Sequence, residues 1–144
     1  MNGLELMRTV VKDGEACRYF GGLMSIDRLH FKPTSRIFYI CNTDVWKNKG
    51  KHWVVLYFIN ETFEYFDPIG NKPDILFSNF MNKYSKDIVF NTKRVQPLNT
   101  NTCGEYCIFF ASMRSRNINF NEIMKYMQDE KTILDYVNDL SYFN

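Results

Sequence analysis

Cys103 stands where a polar loop gives way to an apolar run, in the stretch VQPLNTNTCGEYCIFF (Val95 to Phe110), and Gln96 lies seven residues before it. A thiol ordinarily prefers the inside of an apolar segment. The Asn and Thr side chains of NTNTCG are N-cap types, which places Cys103 in the first turn of the helix that follows. Unpaired amides and the positive end of the helix dipole stabilise an anion there, so a thiolate forms more readily. Gly104 removes a side chain that would obstruct another backbone, and Phe109 and Phe110 anchor the helix in the core. The competing reading is that Cys103 is only a small core residue at a helix start. Cys41, Cys107 and Cys17 read as packing residues.

A nucleophilic thiol needs a base, and the chain offers two histidines. His30, in RLHFKP, reads as a solvated loop residue. His52 opens the apolar run HWVVLYFI after a polar loop, which puts it at a sheet edge, although it could equally be a simple strand-end residue. If Asn60 and Glu61 form a two-residue hairpin loop, Ile59 pairs with Thr62, Val54 lies opposite Asp67, and His52 is diagonal to Asp67 on one face. Diagonal neighbours are roughly 7–8 Å apart at Cα, within reach of an imidazole and a carboxylate. A three-residue loop would put them on opposite faces. Asp67 precedes Pro68 and also suits an ordinary turn. Gln96 is a candidate hydrogen-bond donor, with the Cys103 N–H, to the oxyanion of an acyl transfer; a lone loop glutamine is otherwise merely solvated. A metal site of Cys103, Cys107 and His52 is a further option, but it lacks a fourth ligand.

The elements that must carry these groups are legible from periodicity. LELMRTVV has helical spacing, while RIFYIC, HWVVLYFI and TFEYFD read as strands, the last two forming the hairpin. KPDILFSNFMNKYS suits a helix, IVFN a short strand, and CGEYCIFFASMRS, NFNEIMKYM and EKTILDYVNDLSYF three further helices. This order favours an α+β fold over a repeated βαβ fold. The 144 residues, 45% apolar and 17% aromatic, suit one domain spanning 1–144 with a full core. A formal charge of +2 neither requires nor excludes nucleic acid. Glu5, Arg8, Lys12 and Asp13 interrupt any N-terminal run long enough for a signal peptide or membrane span, so the chain is expected to be soluble, unexported and without a membrane partner. The four cysteines are then expected to be free thiols.

The ordered set KHW, EYFDPIG and VQPLNTNTCGEYC resembles the adenovirus-type, or adenain-like, cysteine proteases, which belong with the ubiquitin-like-protein proteases sharing His, Asp or Glu, Gln and Cys in that order. VVKDGEACRYFGGLMSIDRL and FYICNTDVWKNKGKHW extend the likeness upstream, including an Asn-Thr ten residues before His52. The chain is also similar to the adenain-like proteases of large self-synthesising transposons and related DNA viruses.

The resemblance implies a mixed, mainly antiparallel sheet flanked by helices, the papain-like/adenain-like protease fold, with Cys103 as nucleophile, His52 as general base, Asp67 as its orienter and Gln96 as oxyanion-hole donor. It implies an endopeptidase processing viral or transposon capsid precursors after small, Gly-rich sites, with Trp53 as a candidate wall of a narrow substrate tunnel or else a core residue. The alternatives are removal of ubiquitin-like modifiers and a catalytically silent binding module. No cofactor is called for. Weak DNA binding is implied as well, through Lys47, Lys49 and Lys51 or Lys93 and Arg94, charges that otherwise form a solvated face. An intracellular location in the host, nuclear or cytoplasmic, and packaging in the virion follow from the same likeness. Three departures stand out: the acid is Asp67 where adenoviral enzymes have Glu, the chain after Cys103 is short, and no cysteine lies between Asp67 and Gln96 to link an activating peptide.

Overall fold

The computed structural model describes residues 1–43 and 52–142. Lys47, Lys49 and Lys51 therefore lie outside the described residues. The elements run α1 (Gly3–Lys12), β1 (Phe20–Ser25), β2 (Ile37–Asn42), β3 (Trp53–Ile59), β4 (Thr62–Phe66), α2 (Ile75–Tyr84), β5 (Asp87–Phe90), α3 (Cys103–Ser115), α4 (Phe120–Tyr126) and α5 (Glu130–Tyr142). The strands form one sheet in the order β1-β2-β3-β4-β5. Its two inner pairings are antiparallel and its two outer pairings parallel, so the sheet is mixed.

Every residue of β3 is buried, which accounts for its unbroken apolar run. Trp53, Val55, Tyr57 and Ile59 face one core with α3, while Val54, Leu56 and Phe58 face a second core with α2. Alternation along the strand thus serves two layers. Helix α3 is wedged between the sheet, α1 and α5, and ten of its thirteen residues are buried. It is apolar around most of its circumference because it has no solvent side.

The hairpin has the two-residue loop: Ile59 pairs with Thr62, and Asn60 and Glu61 have φ of 51° and 61°. Both central residues are left-handed, as a turn matched to strand twist requires. Strand β1 has no counterpart in the sequence reading. Its FGGLMS lacks alternation, and Gly21 lies where a Cβ would meet the Tyr39 ring at 2.4 Å. Tertiary contact, not periodicity, makes this segment a strand. Cys17 is a correction: it is exposed, with its thiol donating to the Gly14 carbonyl, because its short 3-10 turn faces solvent. Among the described residues no helix is long and apolar enough to cross a membrane.

Asp13 ties the helical layer together. Its buried carboxylate accepts two hydrogen bonds from Arg116, both at 2.9 Å, and one from the Ser112 hydroxyl, itself 2.5 Å from the Tyr136 hydroxyl. Burial opposes the charge, but the bonds from Arg116, Ser112 and the Ala16 amide outweigh it and hold the Asp13 carboxyl below the usual range. Asp13→Ala is expected to cost about 3 kcal/mol in urea unfolding at neutral pH, at the low end for a broken buried pair because the Arg116 side chain stays partly exposed. A depressed folded pKa gives stability that is present above the unfolded carboxyl pKa and lost as pH falls through the folded one, so the difference from wild type shrinks in acid.

Candidate active site

The loop of β3 and β4 sets the acid and the base. Its register pairs Val55 with Phe66, so one rung further on Val54 stands opposite Asp67, and His52 precedes the strand on the same face. The imidazole Nε2 lies 2.6 Å from Asp67 Oδ1, which also accepts the Ile69 N–H at 2.9 Å. The Thr43 N–H donates to the His52 carbonyl at 3.1 Å and so fixes the His52 backbone. That bond gives the upstream Asn-Thr a physical role, as the end of the β2–β3 ladder.

Cys103 opens α3, as its position in the sequence predicts. With Nε2 taken by Asp67, the other ring nitrogen, Nδ1, remains for the hydrogen bond that joins His52 to Cys103. The sulfur also accepts from the backbone amides of Trp53 and Gly104. The expected N-cap side-chain bond is not made: Thr102 occupies the cap position, but its hydroxyl donates to the Thr100 hydroxyl instead. The Gly104 amide, left by that cap, is one of those that serve the sulfur.

These contacts favour charge separation. Burial pushes the Cys103 thiol up, but the bonds from His52 and the Trp53 and Gly104 amides outweigh it, and the net shift is downward. Burial pulls His52 down, while hydrogen bonds and charge from Asp67 and Cys103 pull harder, and its pKa rises to about 9. Both shifts act in favour of a thiolate–imidazolium pair. Because the folded His52 pKa is raised, the stability it contributes is full below about 6.5 and is lost as pH climbs through about 9. Cys41 and Cys107 are fully buried and pushed upward, so neither competes as a thiolate.

Gln96 is 3% exposed and is carried on a loop tied to the acid: the Pro68 carbonyl accepts from Val95 and Gln96 amides at 2.9 and 3.0 Å. Its side-chain amide donates to the Thr100 carbonyl at 2.9 Å and the Thr100 hydroxyl at 3.1 Å, and its buried Oε1 has no partner among the described residues. The structure thus places Gln96 beside the Thr100 turn, with its N–H groups engaged there.

Of the neighbours of Cys103, Gly104 differs from the sequence reading and Trp53 takes the core alternative. Gly104 is buried, and a Cβ on it would lie 3.2 Å from the Met1 Cβ, so its smallness admits the N-terminal segment rather than an incoming backbone. Trp53 is 8% exposed in the core beneath Cys103, and its indole N–H donates to the Met1 carbonyl. His30 is exposed and donates to the Arg28 carbonyl. Lys93 and Arg94 are exposed, and the Arg94 Nε donates to the Gln96 carbonyl. Among the described residues no group of three or more His, Cys, Asp or Glu is placed to hold a metal ion. A cavity of about 230 Å³ adjoins the site, lined by His52, Asp67, Tyr65, Lys72 and Asp74. Sequence reading missed Asn91, buried beside Asp67; its only sequence signal is a polar residue ending a short strand.

No protein-family model matches the chain, and no curated protein matches it by sequence. Among solved structures it is similar to ASFV pS273R protease, with TM-score 0.63 and 16% identity over 94% of this chain and 67% of that one. A selenomethionine crystal structure of the same protease gives TM-score 0.61 and 21% identity over 76% of this chain, which spans 45% of that chain's length. SUMO protease Ulp1, in a structure with its catalytic cysteine oxidized to a sulfonic acid, gives TM-score 0.53 and 12% identity over 95% and 79%. What the chain shares with both is the adenain-like cysteine protease fold.

Proposed function

We propose that this chain is a cysteine endopeptidase with Cys103 as nucleophile, His52 as acid and base, Asp67 as the group orienting His52, and Gln96 as an oxyanion donor. The observation that carries the proposal is the continuous hydrogen-bonded line from Asp67 through His52 to Cys103. The Cys103 thiolate attacks a peptide carbonyl carbon, and the carbonyl π pair moves onto oxygen, where the Cys103 amide and Gln96 meet it. Gln96 does so by turning one N–H away from the Thr100 hydroxyl. As the tetrahedral carbon collapses, the C–N bond breaks and the imidazolium hands its proton to the leaving amine. Water, deprotonated by the now neutral His52, cleaves the thioester and restores thiolate and imidazolium.

The substrates proposed are capsid precursors of a DNA virus or transposon, cut after small, Gly-rich sequences. The likeness to a SUMO protease supports a second reading, cleavage of ubiquitin-like modifiers at Gly-Gly tails. Incubating the protein with the capsid precursor of its own genome and with Gly-Gly-tailed modifier reporters, then weighing the fragments by mass spectrometry, separates the two. Fragments ending in small residues are expected from the precursor. Cleavage of the reporters alone moves the assignment to the second reading, and cleavage of neither overturns the peptidase.

A further inference from the structure

Asn91 lies one residue past the end of β5, is 6% exposed, and has no part in the chemistry proposed above. The parallel β4–β5 register pairs Tyr65 with Phe90, so the next rung sets Phe66 level with Asn91 and leaves Asp67 beyond it. No strand residue is there to take the main-chain groups of Asp67. The Asn91 side chain takes them instead: its Oδ1 accepts the Asp67 N–H at 2.9 Å, and its Nδ2 donates to the Asp67 carbonyl at 2.7 Å. The second Nδ2 hydrogen goes to the Lys93 carbonyl at 3.1 Å. One amide supplies the acceptor and the two donors that this corner needs, a combination no carboxylate or aliphatic side chain offers.

The corner calls for such a clamp. Asp67 follows the last residue of β4, Pro68 contributes no N–H, and the chain reverses through Gly70 at φ 78°. Gly70 packs so closely that a Cβ there would come within 2.7 Å of the Lys93–Arg94 backbone. Together with the bonds from Val95 and Gln96 to the Pro68 carbonyl, this makes residues 67–70 and 91–96 one packed unit.

The geometry points to Asn91 as a positioning residue for the acid: by gripping both main-chain groups of Asp67 it holds Oδ1 against His52 and so keeps His52 aligned on Cys103. The inference rests on the peptidase reading for its kinetic consequence, and on the observed contacts alone for its effect on His52. A mere cap on the sheet end would contribute stability and leave the imidazole unchanged.

Asn91→Ala and the similarly sized Asn91→Leu, in the full chain, test it through the titration of labelled histidine by nuclear magnetic resonance. Among the described residues, the charged groups around His52, namely Asp67, Cys103, Lys72 and Asp74, are the same in all three proteins. His30, exposed and bonded to Arg28, serves as the internal reference. The His52 midpoint is expected to fall from about 9 toward the ordinary histidine range in both variants. Peptide turnover is expected to drop about 10- to 100-fold through kcat, with KM nearly unchanged, as misplacement of a catalytic group by about an ångström does. A lower melting temperature with an unmoved His52 midpoint overturns the inference, as does failure of both variants to fold, because the role claimed is local. If wild type cleaves nothing but His52 still shifts on substitution, the positioning stands and the peptidase reading falls.

Discussion

Cys103→Ala is expected to remove peptide cleavage, with turnover lower by about 10⁵- to 10⁶-fold, the loss seen when a triad nucleophile is deleted. The fold should survive, because the site is small and a buried alanine fits where a cysteine that is 5% exposed sat. Cys17→Ser, on the exposed turn, should leave turnover unchanged and provides the background for alkylation. On that background one thiol is expected to react with iodoacetamide at a lower pH than free cysteine does, and this reaction is expected to vanish in Cys103→Ala. The reason is the downward shift of Cys103 produced by His52 and two backbone amides. Cys41 and Cys107 are fully buried and shifted upward, so they stay silent. Equal cleavage by wild type and Cys103→Ala would end the nucleophile assignment.

Asp67→Asn is expected to lower kcat by about 10³- to 10⁴-fold while the chain remains folded, as loss of the orienting acid does in a hydrolytic triad. The charge that raises His52 disappears, and an amide N–H can face Nε2 in place of an acceptor. The signature is in the pH profile. In wild type the imidazolium persists until about pH 9, so the thiolate keeps its partner across the neutral range. Without Asp67 the His52 pKa falls, the partner is lost at lower pH, and the alkaline limb of kcat/KM moves toward neutrality. An alkaline limb in the same place in both proteins would show that Asp67 does not govern His52.

The local chemistry of the site was written in residue types. A cysteine at the start of α3 followed the mismatch between a polar loop and an apolar run, and α3 begins at Cys103. The pairing of His52 with Asp67 followed from counting across a two-residue loop, because alternation in a strand has a period of two and a fixed loop leaves one register. Asn60 and Glu61, both at positive φ, set that register, although a glutamate in this conformation carries no strong turn signal. Strand β1 was illegible because FGGLMS has neither alternation nor β-branched residues, and its pairing with β2 comes from packing against Tyr39. The exposure of Cys17 was illegible too, since neighbouring aromatics do not say which way a short turn faces.

By itself the sequence determined the helix that presents Cys103, the hairpin that carries His52 and Asp67, and the order of the four polar groups, because each depends on interactions between residues near in the chain or on strand periodicity. Tertiary structure alone decided that the two assemblies meet, with the His52–Asp67 pair bonded to Cys103, and that Asn91 grips the acid from 24 residues away. Those contacts join segments distant in sequence, which burial of α3 against β3 and the pairing of β5 with β4 bring within hydrogen-bonding reach.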